Sequence, residues 1–355
     1  MKVTAVADIY LKEDYYRDGL AKYPEFECLG IPFFGINDRK QMRETVHLIE
    51  TKGSEACEPP AELWDLIEET EVLMVHLCPV SEALLKKAKN LKLILINRGG
   101  TENVNVEAAT ALGIPVLSNP AHNANAVAEY MIGLLIAEMR NIGRSYKGLK
   151  DGKWVEYFPN SGSIYEIYNQ TIGLVGFGTI ARLVAKKLQG FDCNVIVYDP
   201  YVSENDEDLV KYNCRKVELS ELLSISDVVS LHARSSGDKP LIGREELALM
   251  KESAYMINTA RAYLMDYDGL YERLRDGKLR GAAVDVFESE PISPDHPLLT
   301  LDNVTVTNHR GGDTVNSYSD SPAMLFAEAR KLLAGDYDHV RFWKNKKETC
   351  NSSRK

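Results

Sequence analysis

The chain lacks any long apolar run. Its most apolar stretch, near 131–137, is far too short to cross a bilayer, so no membrane span is expected. Cysteine is sparse: six in 355 residues (Cys28, Cys57, Cys78, Cys193, Cys214 and Cys350), with no Cys-x-x-Cys pair. That spacing argues against a disulfide framework, and the thiols read as reduced core filler of a cytoplasmic protein with no metal site. Positive charge is in deficit, with 42 Lys and Arg against 52 Asp and Glu and a net charge of -10. A general nucleic-acid surface is therefore not expected, and an anionic substrate would have to meet a local cluster of cations. No repeat at solenoid spacing and no low-complexity segment is present. The opening Met-Lys-Val-Thr-Ala-Val-Ala-Asp reads as a strand followed by charge rather than as a secretory leader.

What is present is ordinary for a globular protein, 45% hydrophobic and 26% charged. A length of 355 residues is too great for one core and points to two domains. The first hundred residues alternate apolar runs (3–7, 72–76, 93–96) with helical patterns (14–22, 61–68, 82–88), which implies a parallel sheet covered by helices. A turn cluster, Asn119-Pro120-Ala121-His122-Asn123, precedes a helix over 124–141 that is apolar on most sides and so reads as buried. A second alternation places strands at 172–175, 194–198, 228–231, 254–258, 281–286 and 304–307. That is the element count of a doubly wound dinucleotide-binding domain. A last helix over 321–334 has no domain of its own to pack on and is expected to return to the N-terminal sheet. The polar, basic stretch 341–355 reads as a solvated tail.

The stretch Gly-Leu-Val-Gly-Phe-Gly-Thr-Ile-Ala, 173–181, carries the sharpest signal. In Gly176-x-Gly178-x-x-Ala181, Gly176 allows a tight turn, Gly178 lets the backbone approach a pyrophosphate, and Ala181 lets the helix pack close to its strand. The N-terminus of that helix would hold phosphate charge. Asp199 follows the next strand, 21 residues after Gly178, where an acid can accept both ribose hydroxyls and would repel a 2′-phosphate. NAD is therefore expected in preference to NADP.

Three ionisable residues stand just beyond predicted strands of the second alternation: Arg261, Glu290 and His309. Ligands of open α/β sheets bind outside the carboxyl ends of the strands, so all three point to the cofactor crevice. An arginine fork can hold a carboxylate and polarise the neighbouring carbonyl. A histidine can pass a proton near neutral pH, and a carboxylate beside it would hold the ring and favour its charged form. With a hydride carrier these groups suffice to interconvert a 2-oxo acid and a 2-hydroxy acid.

Val-Gly-Phe-Gly-Thr-Ile-Ala, Asn258-Thr-Ala-Arg261, Ala283-Val-Asp-Val-Phe-Glu-Ser-Glu-Pro291 and Thr307-Asn-His309-Arg-Gly-Gly312 occur in that order. Together they make the chain resemble the D-isomer-specific 2-hydroxyacid dehydrogenases, from Leu91 to Leu333. The resemblance implies Arg261, Glu290 and His309 as the catalytic triad, Asp285 as the acid that binds the carboxamide, and Asp199 as the ribose acid. It extends the cofactor contacts to Thr179, Ile180, Thr259, Ala260, His309 and Gly311. It maps the loop that binds the substrate carboxylate onto Gly99 and Gly100, beside Arg98, with Arg261 as a further substrate contact.

The fold it implies has two doubly wound α/β domains. One is a Rossmann NAD-binding domain, 103–312. The other is a discontinuous flavodoxin-like substrate (catalytic) domain, 1–102 with 313–340. A homodimer is also implied, with Trp154 in a segment that crosses to the partner subunit. Three departures stand out: Ala181 in place of a third glycine, Asn308-His309-Arg310 around the histidine, and the bulky Arg98 beside the loop glycines. Glu290 stands where formate dehydrogenases carry glutamine, which sets formate aside.

Each residue also has a plainer reading. Asp285 could be a helix cap, and Glu288 is the neighbour that Glu-Pro distinguishes from Glu290. Arg98 and Arg310 could be surface charges paired with Glu102 or Asp313. If instead they face the crevice unpaired, they call for a second anionic or polar group on the substrate, as in a phosphorylated or sugar-derived acid. His76, His122 and His232 are the other histidines able to approach the crevice, while His47, His296 and His339 read as surface or packing residues. The expectation is an NAD-dependent dehydrogenase of a D-2-hydroxy acid. Its competitor is an NAD(H)-sensing, corepressor-like binding protein with the same triad.

Overall fold

The computed structural model describes residues 1–36, 38–234 and 239–350. The chain forms two compact units, one from Met1–Asn123 with the chain from Thr314 onward, the other Ala124–Asp313.

The first unit holds a five-stranded parallel sheet of β1 (Lys2–Ala5), β2 (Glu27–Gly30), β3 (Val72–Val75), β4 (Leu93–Ile96) and β5 (Val116–Ser118), in the order β2-β1-β3-β4-β5. This is the flavodoxin-like order. β3 and β4 are buried along their whole length, which is why they read as unbroken apolar runs. β2 is a half-exposed edge strand of mixed polarity, and β5 is three residues long. Neither carries a period that sequence reading can catch. Helix Ser321–Leu333 closes this unit, burying Leu325, Phe326 and Ala329 with Tyr16 and Leu117. Its approach to helix Glu13–Ala21 is so close that a Cβ on Gly19 would lie 2.9 Å from Pro322 Cβ.

Two expectations are corrected here. The first boundary falls at 123/124, not 102/103, because helix Val106–Ala111 and β5 complete the first sheet's unit. The second falls after Asp313 rather than before it. The stretch from residue 341 is not a solvated tail as far as residue 350. Trp343 bridges Leu117 in antiparallel sense and is 8% exposed. Its indole N–H donates to Asn345 Oδ1 and Thr349 Oγ1 at 3.2 and 3.1 Å. Asn345 in turn accepts from Val116 N–H and donates to the Ile114 carbonyl, both at 2.9 Å. The segment thus covers the free edge of β5, a common way of protecting an edge strand. Residues 351–355 of the expected tail lie outside the described residues.

The second unit holds seven parallel strands: β6 (Thr171–Val175), β7 (Asn194–Tyr198), β8 (Cys214–Lys216), β9 (Val228–Leu231), β10 (Tyr255–Asn258), β11 (Gly281–Val284) and β12 (Val304–Val306). Their order is β12-β11-β10-β9-β6-β7-β8, the doubly wound Rossmann arrangement with its switch between β6 and β9. The short, charged edge strand β8 was not expected. Helix Ala124–Met139 belongs to this unit and packs on helix Thr179–Leu188 through Ala128, Met131, Leu135, Ala181 and Ala185. Its one buried acid, Glu138, accepts from Arg144 Nη2 on both oxygens, at 2.8 and 2.9 Å, and from Thr305 Oγ1 at 2.6 Å. No helix among the described residues is long and apolar enough to cross a membrane.

Candidate active site

In the second unit every predicted site residue lies at one edge of the sheet, beyond the carboxyl ends of the strands. Gly176 follows β6 with φ +94°, and a Cβ there would stand 2.6 Å from the Ala233 nitrogen. Only glycine meets both demands. Gly178 caps helix Thr179–Leu188 without any side-chain hydrogen bond. The first ladder bond runs from Arg182 N–H to the Gly178 carbonyl at 3.0 Å, which leaves the N–H groups of Thr179, Ile180 and Ala181 outside it. A Cβ on Gly178 would meet nothing within 4 Å. Asp199, at the end of β7, accepts Phe177 N–H at 2.8 Å and Tyr201 N–H at 2.9 Å. Its carboxylate is thereby fixed beside the glycine turn with lone pairs to spare.

The turn after β10 carries Thr259, Ala260 and Arg261. Asn258, fully buried, shapes it by accepting Ala260 N–H at 3.1 Å and donating to the Arg261 carbonyl at 3.0 Å. This anchoring residue was not singled out in the sequence, although it opens the Asn258-Thr-Ala-Arg261 motif. Arg261 is exposed, and its guanidinium donates only to the Ala260 carbonyl at 2.7 Å among the described residues. The Thr259 hydroxyl is buried without a partner.

Asp285 follows β11 and is 1% exposed. It accepts Thr307 Oγ1–H at 2.6 Å and the N–H groups of Arg310 and Gly311, each at 2.9 Å. Four acceptor sites on a carboxylate leave one for a ligand, so its first task here is to clamp the loop that carries His309. His309 adopts φ +54°, a left-handed conformation costly for a side chain and held by the clamp on either side. Its Nδ1 lies 2.7 Å from Glu290 Oε2, while Glu290 Oε1 accepts Phe287 N–H at 3.0 Å. Partial burial pushes the Glu290 carboxyl up, but the bonds from His309 and Phe287 outweigh it and hold the group below its ordinary range. Glu290 is therefore an anion that accepts the hydrogen bond of Nδ1–H and leaves Nε2 for chemistry. His232, beyond β9, contacts Ser230 Oγ at 3.0 Å, and burial pushes it down to about 4. A neutral ring of that kind is a packing group rather than a proton carrier near pH 7.

In the first unit the loop after β4 carries Arg98, Gly99 and Gly100. Asn97 pins its start, donating to the Val75 carbonyl at 3.3 Å and accepting Ser321 Oγ–H at 3.0 Å. No N–H of residues 98–101 finds an acceptor among the described residues, so the loop can offer them to an anion. Arg98 has protein carboxylates beside it, although its Nη1 is buried without a partner among the described residues. It pairs with Glu50 at 2.6 Å and Glu102 at 3.6 Å, and Arg310 pairs with Asp313. His47 and His339 are exposed, His339 bonded to Asp336 at 2.5 Å, and His296 caps the turn before Leu298.

The geometry fits a dinucleotide. Gly178 has no packing neighbour that would demand glycine, the helix start has uncapped N–H groups, and a buried hydroxyl at Thr259 awaits a partner. The group of His309, Glu290, Arg261 and a glycine turn belongs to a class, and the comparisons name it. Residues 132–311 match the family model described as D-isomer specific 2-hydroxyacid dehydrogenase, NAD binding domain. A D-3-phosphoglycerate dehydrogenase of Methanocaldococcus jannaschii is 37% identical over 277 residues, 78% of this chain and 52% of the relative. The chain thus spans about half the length of that relative. A hydroxypyruvate reductase of Thermotoga maritima is 38% identical over 260 residues, 72% of this chain and 82% of the relative.

The fold is that of the NAD-complexed D-isomer specific 2-hydroxyacid dehydrogenase of Lactobacillus delbrueckii ssp. bulgaricus. The TM-score is 0.73 at 22% identity, covering 94% of this chain and 98% of that one. The chain belongs to the D-isomer-specific 2-hydroxyacid dehydrogenase family of NAD-dependent oxidoreductases. Its second unit contains the NAD-binding domain, and NAD is the cofactor.

Proposed function

We propose that the protein interconverts a D-2-hydroxy acid and its 2-oxo acid, with the first unit as substrate domain and His309 as the group that moves the proton. The observation that carries this reading is the 2.7 Å contact between His309 Nδ1 and Glu290, at the same sheet edge as the glycine turn. Gly176, Gly178, Thr179 and Ile180 would hold the pyrophosphate of NAD, Asp199 the ribose hydroxyls, and Thr259, Ala260, Asp285, His309 and Gly311 the nicotinamide side. NAD, when bound, supplies the hydride carrier.

The remaining work falls to side chains. The Arg261 fork holds the substrate carboxylate and polarises the oxygen at C2, helped by the free N–H groups of Gly99 and Gly100. In reduction His309 Nε2–H gives its proton to the new alkoxide; in oxidation Nε2 removes the hydroxyl proton. Glu290 holds the ring by its other nitrogen and stabilises it when charged, the arrangement that lets a histidine act as both acid and base. The deciding experiment follows NADH and NADPH oxidation over a panel of 2-oxo acids. Turnover with NADH preferred is expected, because the Asp199 carboxylate would repel a 2′-phosphate. NADH binding without turnover of any oxo acid would favour an NAD(H)-sensing protein instead.

Helix Ile142–Lys150 and the segment after it expose a run of large apolar side chains: Tyr146 66%, Leu149 56%, Trp154 81% and Tyr157 81%. Exposed aromatics so close in sequence mark an interaction surface, and a second copy of this chain is the partner proposed. Sedimentation at twice the chain mass is expected, and Trp154→Glu with Tyr157→Glu should return the protein to a monomer. A monomeric wild type would assign those aromatics elsewhere. The six free thiols suit a reducing, cytoplasmic setting.

A further inference from the structure

In the second unit the glycine turn is tied to the chain that follows Asp199 by a group of charges that the mechanism above does not use. Arg182 sits in the first turn of helix Thr179–Leu188. Its Nη1 donates to Asp206 Oδ1 at 2.6 Å and to Asp208 Oδ2 at 2.9 Å, and its Nη2 to Asp206 Oδ2 at 2.8 Å. The fork is bidentate on one carboxylate, the geometry that makes an arginine pair directional. The guanidinium also lies over the Phe177 ring, 4.6 Å from its centroid. The Arg182 bonds hold the Asp206 carboxyl below its ordinary range against partial burial, so the pair is charged near neutral pH.

Both ends of this tie lead to the cofactor edge of the sheet. Phe177 is buried, and its N–H is the group that holds Asp199 Oδ2 at 2.8 Å. Asp206 opens helix Glu207–Lys211, accepting Asp208 N–H at 3.0 Å. The loop 200–205 is thus fastened to the glycine turn twice, by Asp199 through Phe177 and by Asp206 through Arg182. Between them Lys216 Nζ holds the Val202 carbonyl at 2.7 Å, and Tyr201 is exposed. A dinucleotide with its pyrophosphate at Gly178 and a ribose on Asp199 carries its adenine beyond that ribose, alongside this loop.

Two other roles for Arg182 fit less well. As a cation near a glycine turn it could meet the anionic cofactor itself, but Asp206 and Asp208 leave the group net negative. As an ordinary surface ion pair it would be worth little. Yet the Arg182 side chain is 28% exposed, Asp206 21% and Asp208 31%, and the fork is stacked over a buried ring. A brace of this kind orders a loop before the ligand arrives, so that binding does not have to.

We propose that Arg182 is a positioning residue for the adenosine half of NAD: through Asp206 and Asp208 it holds the loop after Asp199 in its binding shape without touching the cofactor. The inference rests on the assignment of Asp199 to the ribose and deepens it.

The test measures NADH affinity by fluorescence and ADP-ribose affinity by calorimetry, each beside a thermal melt of the free protein. Arg182→Met keeps the stem over Phe177 and loses the fork. It should weaken both ligands by about three- to tenfold, the cost of ordering a loop on binding. In turnover the loss should fall on KM for NADH rather than on kcat. Asp206→Asn with Asp208→Asn should weaken both ligands too, although removing two negative charges would by itself favour an anion. Asparagine still caps helix Glu207–Lys211, so this variant should melt close to wild type. Joining all three substitutions should cost no more than Arg182→Met alone, because each breaks the same brace. Arg182→Lys, which keeps one charged contact, should recover part of the loss. Tighter NADH binding in the asparagine variant would make Arg182 a cofactor contact restrained by its acids, and overturn the proposal. Unchanged affinity in either variant, additive losses in the triple variant, or a loss for NADH without one for ADP-ribose would also overturn it. Should Arg182→Met not fold, the sign of the asparagine variant decides alone. Asp199→Ala is run beside them: if it leaves both affinities unchanged, the ribose assignment itself has failed, and this inference with it.

Discussion

Replacing His309 with alanine is expected to lower kcat by about 10²–10⁴-fold, the usual worth of a positioned general acid or base. The fold and the NADH site should survive, because the imidazole makes one hydrogen bond, to Glu290, and the loop is held by Asp285 through backbone groups. KM for the oxo acid should move far less than kcat, since the proton is transferred only as the alkoxide forms. A second readout separates a catalytic ring from a structural one. Glu290 sits below its ordinary range because the bonds from His309 and Phe287 together outweigh burial. In wild type the contact is therefore intact above that lowered midpoint and lost as pH falls through it. Without the ring the lowering by His309 is lost, so the Glu290 carboxyl should titrate at a higher pH than in wild type when followed by carbon-13 NMR. Near-normal turnover with a shifted Glu290 would leave His309 as a mere neighbour of the acid. A large loss of kcat with an unshifted Glu290 would break the proposed coupling.

What could be read from the sequence follows from range. Strands β6, β7, β9, β10, β11 and β12 fall where apolar runs placed them, because a parallel sheet covered on both faces leaves no polar alternation to confuse the pattern. The glycine turn and the three ionisable residues are legible for a similar reason. Each is tied to a strand end, and strand ends are local. The edge strands β2 and β8 escape because half-exposed residues such as Glu27 and Arg215 obey no apolar period.

Side-chain pairings were the least legible part. Arg98 finds Glu50 from 48 positions away and Asp8 finds His76 across 68, and nothing local announces either partner. That both arginines have protein carboxylates beside them, Arg98 and likewise Arg310, is therefore something only the folded chain shows. The same holds for Trp343, whose seat against β5 depends on Asn345 reaching Ile114 and Val116 more than two hundred residues earlier. Phe342 and Trp343, apolar residues in an otherwise polar segment, were the available signal that this stretch is not solvent-bound.

The two glycines of the turn should fail in opposite ways. Gly176 is required by the chain itself: its φ is +94°, and a Cβ would press on the Ala233 nitrogen at 2.6 Å and Cα at 2.7 Å. Gly176→Ala should therefore lower stability by about 1–3 kcal/mol, the usual cost of a side chain forced into a left-handed conformation, before any contact is displaced. Gly178 is different. Its backbone is extended, with φ -77° and ψ -168°, and a Cβ would meet no atom within 4 Å. Gly178→Val should cost the fold little more than glycine's modest advantage as an N-cap. Its side chain would instead stand over the uncapped start of helix Thr179–Leu188, where the pyrophosphate of NAD is expected to lie close to the backbone. Crowding of that kind costs about 1–3 kcal/mol, or roughly 5- to 150-fold in NADH affinity. Thermal melts with and without NADH read both effects at once. Gly176→Ala should melt early in the absence of ligand. Gly178→Val should melt like wild type and gain little from NADH. A Gly178→Val protein stabilised by NADH as strongly as wild type would mean that the phosphates pass elsewhere, and the open space at Gly178 would then be no part of the cofactor site.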